Sequence, residues 1–343
     1  MSGGTIVASA PGKLFVLGEY AVLDGCPAVV AAVDRFATVR MERNGAPGRL
    51  RIEAPQLGSS LDAPAALLPP VDGPLRFALA VLHEMPTAKR ATLLDGLRIT
   101  IQSELAQMAQ AKPGLGSSAA VTTAVTAGLF HLEHGYSAGE RRRHEVFATA
   151  WRAHRIAQGG AGSGADVAAS VWGGLIRFQP NGDSLPGVHS LPLPKGLDLL
   201  AVWSGESAPT TDLIRRYRAL GNGHAQRKIQ FVDLSCTFVR DFLGTIQKGV
   251  DGLAVIDRAG RALEAFAEQT QMPIVTPALD RILRIARRHG AAAKVSGAGG
   301  GDCAIALTSD SQAAGSIREE WQRAGFHPLA LRIAAEGVTS GHS

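Results

Sequence analysis

The residues with the most obvious chemical potential lie in Lys112 to Thr123, KPGLGSSAAVTT. Gly114, Gly116 and Ser117 follow a proline and run into a helix-forming Ala/Val/Thr segment. A glycine turn opening a helix leaves backbone N–H groups unpaired, and the helix dipole adds partial positive charge there, which suits a phosphate. Ser117 and Ser118 have three uses open to them: capping the helix, touching a phosphate oxygen, or ligating Mg2+. The turn is not of the Walker A type, since no Gly-Lys-Ser/Thr follows at the required spacing.

Two flanking constellations bear on the same chemistry. Lys13, just after Pro11-Gly12 and followed by Glu19, either reaches a phosphate or lays its stem along apolar neighbours as a surface lysine. Gly162-Ser163-Gly164-Ala165-Asp166 enters a second helix, preceded by Gly159 and Gly160. An aspartate in a first helical turn is favoured by the dipole, and it can also take a proton from a hydroxyl or pair with Lys13. A third stretch, Lys294 to Asp302 (KVSGAGGGD), holds four glycines between two predicted strands. A hairpin needs fewer, so the excess points to close approach of the backbone to a ligand. His83, His131 and His154 show no metal-ligand spacing, and neither HExxH nor a Ser-His-Asp order occurs.

The elements that must hold these turns can be read from periodicity. Residues 5–8 and 13–17 read as short strands broken by Ala10-Pro11-Gly12, with further strands at 29–33, 37–41 and 51–53. Residues 54–74 read as an irregular excursion. Helical spacing covers 75–83, and LRITIQS at 97–103 alternates as a half-buried strand. Helices are predicted at 119–134, 138–158 and 166–171, then a strand at 175–178. A Pro/Gly/Asn/Asp-rich stretch at 180–196 marks a candidate boundary, giving domains 1–190 and 191–343. Beyond it come a strand at 198–203 and helices at 209–219, 224–246 and 251–269. Another helix starts at the capping pair Thr276-Pro277 and ends at Gly290. Strands at 291–295 and 303–307, a helix at 311–324, a strand at 328–333 and a frayed last ten residues complete an α/β layer.

Composition excludes several classes. With 343 residues, 45% hydrophobic and 19% charged, the chain is long and apolar enough for two domains with cores. A net charge of +5 with scattered Lys and Arg, RRRH at 141–144 being the densest run, argues against a nucleic-acid partner and suits small anionic substrates. No apolar run of about 18 residues and no signal-peptide pattern occur, so neither membrane association nor export is expected. Cys26, Cys236 and Cys303 are far apart and predict neither a disulfide scaffold nor a zinc site, hence a reducing, cytoplasmic setting.

Taken in order, PGKLFVLGEYAVLDG, KPGLGSSAAV and KVSGAGGGDCAIAL resemble the three motifs of the GHMP kinases, the superfamily of galactokinase, homoserine kinase, mevalonate kinase and phosphomevalonate kinase. Four details resemble the phosphomevalonate kinase branch: Tyr20 with the following VDR, the stretch AHRIAQGGAGSGADVAASVWGG, the segment WSGESAPTTDLI, and Asp302 where many other members carry glycine. The resemblance implies an α/β (α+β) two-domain fold, with a ribosomal-protein-S5-like N-terminal domain that binds ATP, a ferredoxin-like C-terminal domain, and an active site in the cleft.

Residue by residue, the resemblance implies that Lys13 and Asp166 are catalytic. Lys112, Gly114, Leu115, Gly116, Ser117, Ser118 and Ala119 would hold the ATP phosphates, with Ser118 near Mg2+. Glu19, Tyr20, Gln158, Ser163 and Gly164 would face the acceptor, as would Ser296, Gly297, Ala298, Gly299 and Gly300 of the third turn. One departure from the mevalonate kinase pattern stands out: Arg155 lies near the position of that branch's upstream Mg2+-binding glutamate, and no acidic residue occurs between Glu145 and Asp166. A phosphorylated acceptor brings extra negative charge, so His154 and Arg155 are expected to meet it, with Asp166 orienting Lys13. The implied reaction is ATP-dependent phosphorylation of 5-phosphomevalonate by a monomer or homodimer. Mevalonate kinase, another small-molecule kinase of the superfamily, and a non-catalytic metabolite sensor are the alternatives.

Overall fold

Strand β1 (Ile6–Leu17) carries the first lysine-bearing stretch, and it runs unbroken where the sequence predicts two short strands. It belongs to a computed structural model that describes residues 4–106, 113–135, 139–194, 196–208, 210–221 and 223–343. Antiparallel pairing with β2 (Ala28–Arg43) absorbs the proline through a bulge: Pro11 lies opposite Phe36, but Gly12 lies opposite Val33. A bulge is where a strand tolerates a residue lacking an N–H. Glycine is required at position 12, because a Cβ there would sit 2.7 Å from the Leu115 carbonyl oxygen. The same close approach lets the Lys13 amide donate to Leu115 O at 2.8 Å, stitching strand to glycine turn.

The first sheet has eight strands. From β1 and β2 it continues through β5 (Leu97–Ser103) to β3 (Arg49–Ala54) and β4 (Ser59–Pro64). The other end of β2 pairs with β6 (Leu175–Gln179), and β6 with β7 (Gly187–Leu191). The free edge of β1 is covered by β12 (Thr339–His342), with Ile6 opposite His342. Three of these strands correct the sequence reading. β4 lies in the supposed irregular excursion, β7 in the candidate boundary, and β12 in the supposedly frayed end. Their sequences, SSLDAP, GVHSL and TSGH, lack apolar alternation, so what specifies them is the partner strand rather than local pattern.

Among the described residues, the α-helices of this half are α1 (Arg76–Glu84), α2 (Thr87–Leu93), α3 (Ser117–His134), α4 (Glu140–Ala157) and α5 (Ala165–Trp172). The short α2 has no counterpart in the sequence reading. α3 buries Ala, Thr, Val and Gly residues on nearly every side, which is how a small-residue helix fits against β1 and β2 with α4 and α5 around it.

A second, antiparallel sheet has the order β11 (His327–Leu329), β8 (Asp198–Trp203), β10 (Cys303–Thr308), β9 (Ala292–Ser296). It is accompanied by α6 (Thr210–Arg218), α7 (Ala225–Gln247), α8 (Leu253–Thr270), α9 (Pro277–Arg288) and α10 (Ser311–Arg323). The predicted cap of α9 is present: Thr276 accepts from the Leu279 amide, and Leu279, Ile282, Leu283, Ile285 and Ala286 form the buried stripe. One apolar core runs from β1, β2 and β5 through Phe238, Phe242 and Ile305, so the two sheets are welded together.

Cys26 and Cys236 form a disulfide with Cα atoms 5.3 Å apart, which corrects the expectation of three unpaired cysteines. Their sequence separation of 210 gave no spacing cue; the bond depends on the docking of α7 against the Ala21–Asp24 turn. Cys303 is free and buried. Among the described residues, no helix is long and apolar enough to cross a membrane.

Candidate active site

A cleft of about 1150 Å³ opens where β1, the start of α3, the start of α5 and the turn after β9 converge. Lys13 is at its centre. Its ammonium donates to Gly114 O at 2.8 Å, and only 8% of the residue is exposed. The lysine stem threads between glycines: a Cβ on Gly116 would lie 2.9 Å from Lys13 Cγ, and one on Gly297 would lie 3.7 Å from Nζ. Glycine at position 116 in the second turn is what admits this side chain, whereas a Cβ at 297 would make only an ordinary contact with it.

The second turn is built as its sequence implies. Gly114 and Gly116 adopt φ values of 75° and 81°, and α3 starts at Ser117 with no side chain capping it. The first-turn amides are therefore available to an anion. Each serine is anchored, Ser117 Oγ lying 3.0 Å from Ser103 Oγ and Ser118 Oγ 3.2 Å from His154 Nε2. Gly114, Leu115, Gly116, Ser117 and Ser118 line the cleft, whereas the Ala119 side chain is fully buried in the core behind them. Lys112 lies outside the described residues.

At the third wall, α5 starts from Gly164 with no side-chain cap, and Asp166 stands in its first turn. The expected pairing of Asp166 with Lys13 is absent; the basic side chain within 4 Å of Asp166 is His154, with Nε2 3.9 Å from Oδ2. Lys13 is oriented by the Gly114 carbonyl instead. Gln158 and Ser163 line the cleft as expected, while Gly164 is pressed against the Trp151 ring behind it.

The two residues expected to supply positive charge do not do so. His154 is 1% exposed and stacked on Phe77; burial pushes its pKa below the usual histidine value, against the pull of Asp166, so the ring is neutral near pH 7. Arg155 lies outside the cleft lining, pairing with Asp183 at 3.2 Å and covering the Trp151 ring. Consecutive residues of a helix point about 100° apart, so only one of them could face the serine.

Glu19 and Tyr20 line the cleft, yet both also brace it. Glu19 forms a buried ion pair with Lys294 of β9, and Lys294 also donates to Val295 O at 2.7 Å. Tyr20, at φ 59°, donates from its hydroxyl to Ala298 O at 2.5 Å and packs on Tyr217. In the third turn, Ser296, Gly297 and Ala298 face the cleft. Gly299 and Gly300 do not; they pack against the 273–274 backbone, with the Gly300 amide donating to Ile274 O at 2.8 Å.

The cleft wall also carries residues that sequence reasoning did not assign to the site, among them Arg76, Phe77, Thr210, Thr211 and Asp302. Nothing in the local pattern marks Arg76 and Phe77, which open an ordinary helix. Asp302 was visible as the acid closing the glycine run. Among the described residues, no group of three or more His, Cys, Asp or Glu could hold a metal ion.

The glycine turns, the uncapped start of α3 and the lysine among them make a cleft suited to phosphates, and matches to family models and to a relative over most of the chain show that it belongs to the GHMP kinases, a family of small-molecule kinases. The family model for the N-terminal domain of GHMP kinases matches residues 75–174, and that for the C-terminal domain matches residues 253–327. The chain is 36% identical to a phosphomevalonate kinase of Streptomyces sp. (strain CL190), covering 97% of this chain and 98% of that protein. It is 28% identical to a mevalonate kinase of Thermococcus sibiricus, with 97% of each covered. The fold matches Streptococcus pneumoniae phosphomevalonate kinase in complex with phosphomevalonate and AMPPNP at a TM-score of 0.79, with 22% identity over 95% of this chain and 99% of that one.

Proposed function

We propose that this chain transfers the γ-phosphoryl group of Mg-ATP to 5-phosphomevalonate, giving diphosphomevalonate and ADP, in the mevalonate route to isoprenoids. The observation that carries the choice of acceptor is the 36% identity, over almost the whole of both chains, to a phosphomevalonate kinase, against 28% to a mevalonate kinase at similar coverage.

The geometry supports phosphoryl transfer by positioning and charge neutralisation. The amides of the 114–118 turn and the α3 dipole would hold the nucleotide phosphates. Lys13, fixed by Gly114 O, would meet the transferring group. The Ser118 hydroxyl and the Asp166 carboxylate are oxygen donors that share His154 Nε2 as a neighbour, at 3.2 and 3.9 Å, a set that suits a hard cation held mostly by phosphates and water, so the site fits Mg2+. When bound, Mg2+ supplies neutralisation of the phosphate oxygens. A phosphate-monoester acceptor, with a second pKa of about 6, is already ionised near neutrality, so Asp166 need not remove a proton. With His154 neutral and Arg155 turned away, Lys13 and Arg76 are the cations on the cleft wall among the described residues, and they would meet the added phosphate charge.

The test is ADP release from Mg-ATP with 5-phosphomevalonate, with mevalonate, and with no acceptor. Turnover with 5-phosphomevalonate alone supports the reading. Turnover with mevalonate alone makes the chain a mevalonate kinase, and silence with both refutes either activity.

A further inference from the structure

Asp302 is a carboxylate on the cleft wall to which the reaction gives no role, and its backbone is unusual. It adopts φ 37°, a left-handed value that is uncommon for a residue with a Cβ. It is only 7% exposed, and every part of it is engaged. Its amide donates to Glu206 O at 2.9 Å, and its carbonyl accepts from the Ser204 amide at 3.0 Å. Oδ1 accepts from the Ala208 amide, also at 3.0 Å. The rest of the side chain lies flat against the phosphate turn. A Cβ on Gly114 would stand 2.6 Å from Oδ2 and 2.9 Å from the Asp302 Cβ, too close to the stem for a swing of the carboxylate alone to relieve. The other side of the same Gly114 residue is held by Lys13.

Gly114 is thus clamped between Lys13 and Asp302, and Asp302 also grips the strand exit that leads into α6. Thr210, Thr211 and Asp212, in the first turn of α6, line the cleft opposite the glycine turn. Burial raises the Asp302 pKa, opposed by the Ala208 amide and the Lys13 charge.

We propose that Asp302 is a positioning residue that locks the 114–118 turn to the 204–208 segment, so that the two sides of the cleft are assembled as one unit. The proposal rests on the reading of this cleft as a phosphoryl-transfer site. It explains why an aspartate is kept in a conformation that glycine would adopt without strain.

The test separates a lock from a fold prop. D302N keeps an oxygen that accepts from Ala208 and tolerates the left-handed backbone, so it should retain the wild-type KM values within about threefold. D302G removes the lock but relieves the backbone, so its melting temperature should stay near or above that of the wild type. Its KM values for both ATP and acceptor should rise by ~10-fold or more, since misplacement of this kind is costly in rate and binding. The double substitution supplies the second readout. G114A collides with Asp302 in the wild-type background but not in D302G, so the two changes should couple, G114A costing markedly less where Asp302 is already gone. Unchanged KM values in D302G, or additive effects in the double variant, overturn the proposal. Mg-ADP binding measured by calorimetry on the same four variants reads the coupling without any acceptor. A wrong choice of acceptor therefore shows in the wild-type assay and leaves this test standing.

Discussion

The Lys13 ammonium and the Gly114 carbonyl are joined by a 2.8 Å hydrogen bond spanning 101 positions of sequence. The bond fixes the lysine from behind, leaving its remaining N–H groups for the phosphate that the turn receives. Lys13→Met keeps the length and apolar stem but loses the charge. Its kcat should fall by roughly 10²–10³, the usual loss for one preorganised donor. Its melting temperature should shift by only a few degrees, as read by calorimetry, because the methionine still fills the channel between the glycines.

Asp166 is free of Lys13, and a phosphate acceptor carries its own charge. Asp166→Asn should therefore lower kcat by about tenfold, below the ~10² or more expected from losing a general base. The acid limb of the pH–rate profile should survive, because it belongs to the acceptor. Disappearance of that limb would make Asp166 the base.

Sequence alone gave Arg155 a place at the acceptor and Arg76 none, whereas the structure puts Arg76 on the cleft wall and Arg155 outside it. Arg155→Ala should leave both KM values within about twofold, since the guanidinium is committed to Asp183 and Trp151 on the surface. Arg76→Ala should raise the KM of a phosphate-bearing ligand by ~10-fold, the scale of one charge-assisted hydrogen bond. The reverse pattern in steady-state kinetics would return Arg155 to the site.

Lys294 and Glu19 form a buried pair whose side chains are 1% and 4% exposed. Lys294→Met strands the carboxylate and should destabilise the fold by about 3–5 kcal/mol. Glu19→Gln in the same chain should restore much of that loss. Urea denaturation of the two single variants and the double one measures it.

Asp257 links α8 to α9. Burial works to raise its pKa, but hydrogen bonds and charge from Arg261 and Arg287 outweigh it and hold the carboxyl below the usual aspartate value. A depressed carboxyl adds stability above its unfolded pKa, about 3.9, and loses it as pH falls through the folded value. Acid unfolding below about pH 4 should therefore be less steep in Asp257→Asn, with the difference between the variants shrinking at low pH. Melting curves between pH 3 and 7 provide the check.

The sequence by itself determined the parts of this protein that rest on local chemistry. Alternation in LRITIQS specified β5, and the Thr276-Pro277 pair specified the start of α9. The glycines at 114 and 116 announced a turn against which something must pass closely, and the structure puts the Asp302 side chain against Gly114 and the Lys13 stem against Gly116. Tertiary structure decided whatever depended on partners distant in sequence. β12 exists because the edge of β1 needs covering, and Cys26 meets Cys236 only after α7 docks. The same holds for charge. His154 and Arg155 are adjacent cations on paper, but helical geometry buries one against Ser118 and turns the other to Asp183. Burial then removes the charge from the histidine, because an ion in an apolar interior is poorly solvated, and no pattern of letters records how much water a side chain will keep.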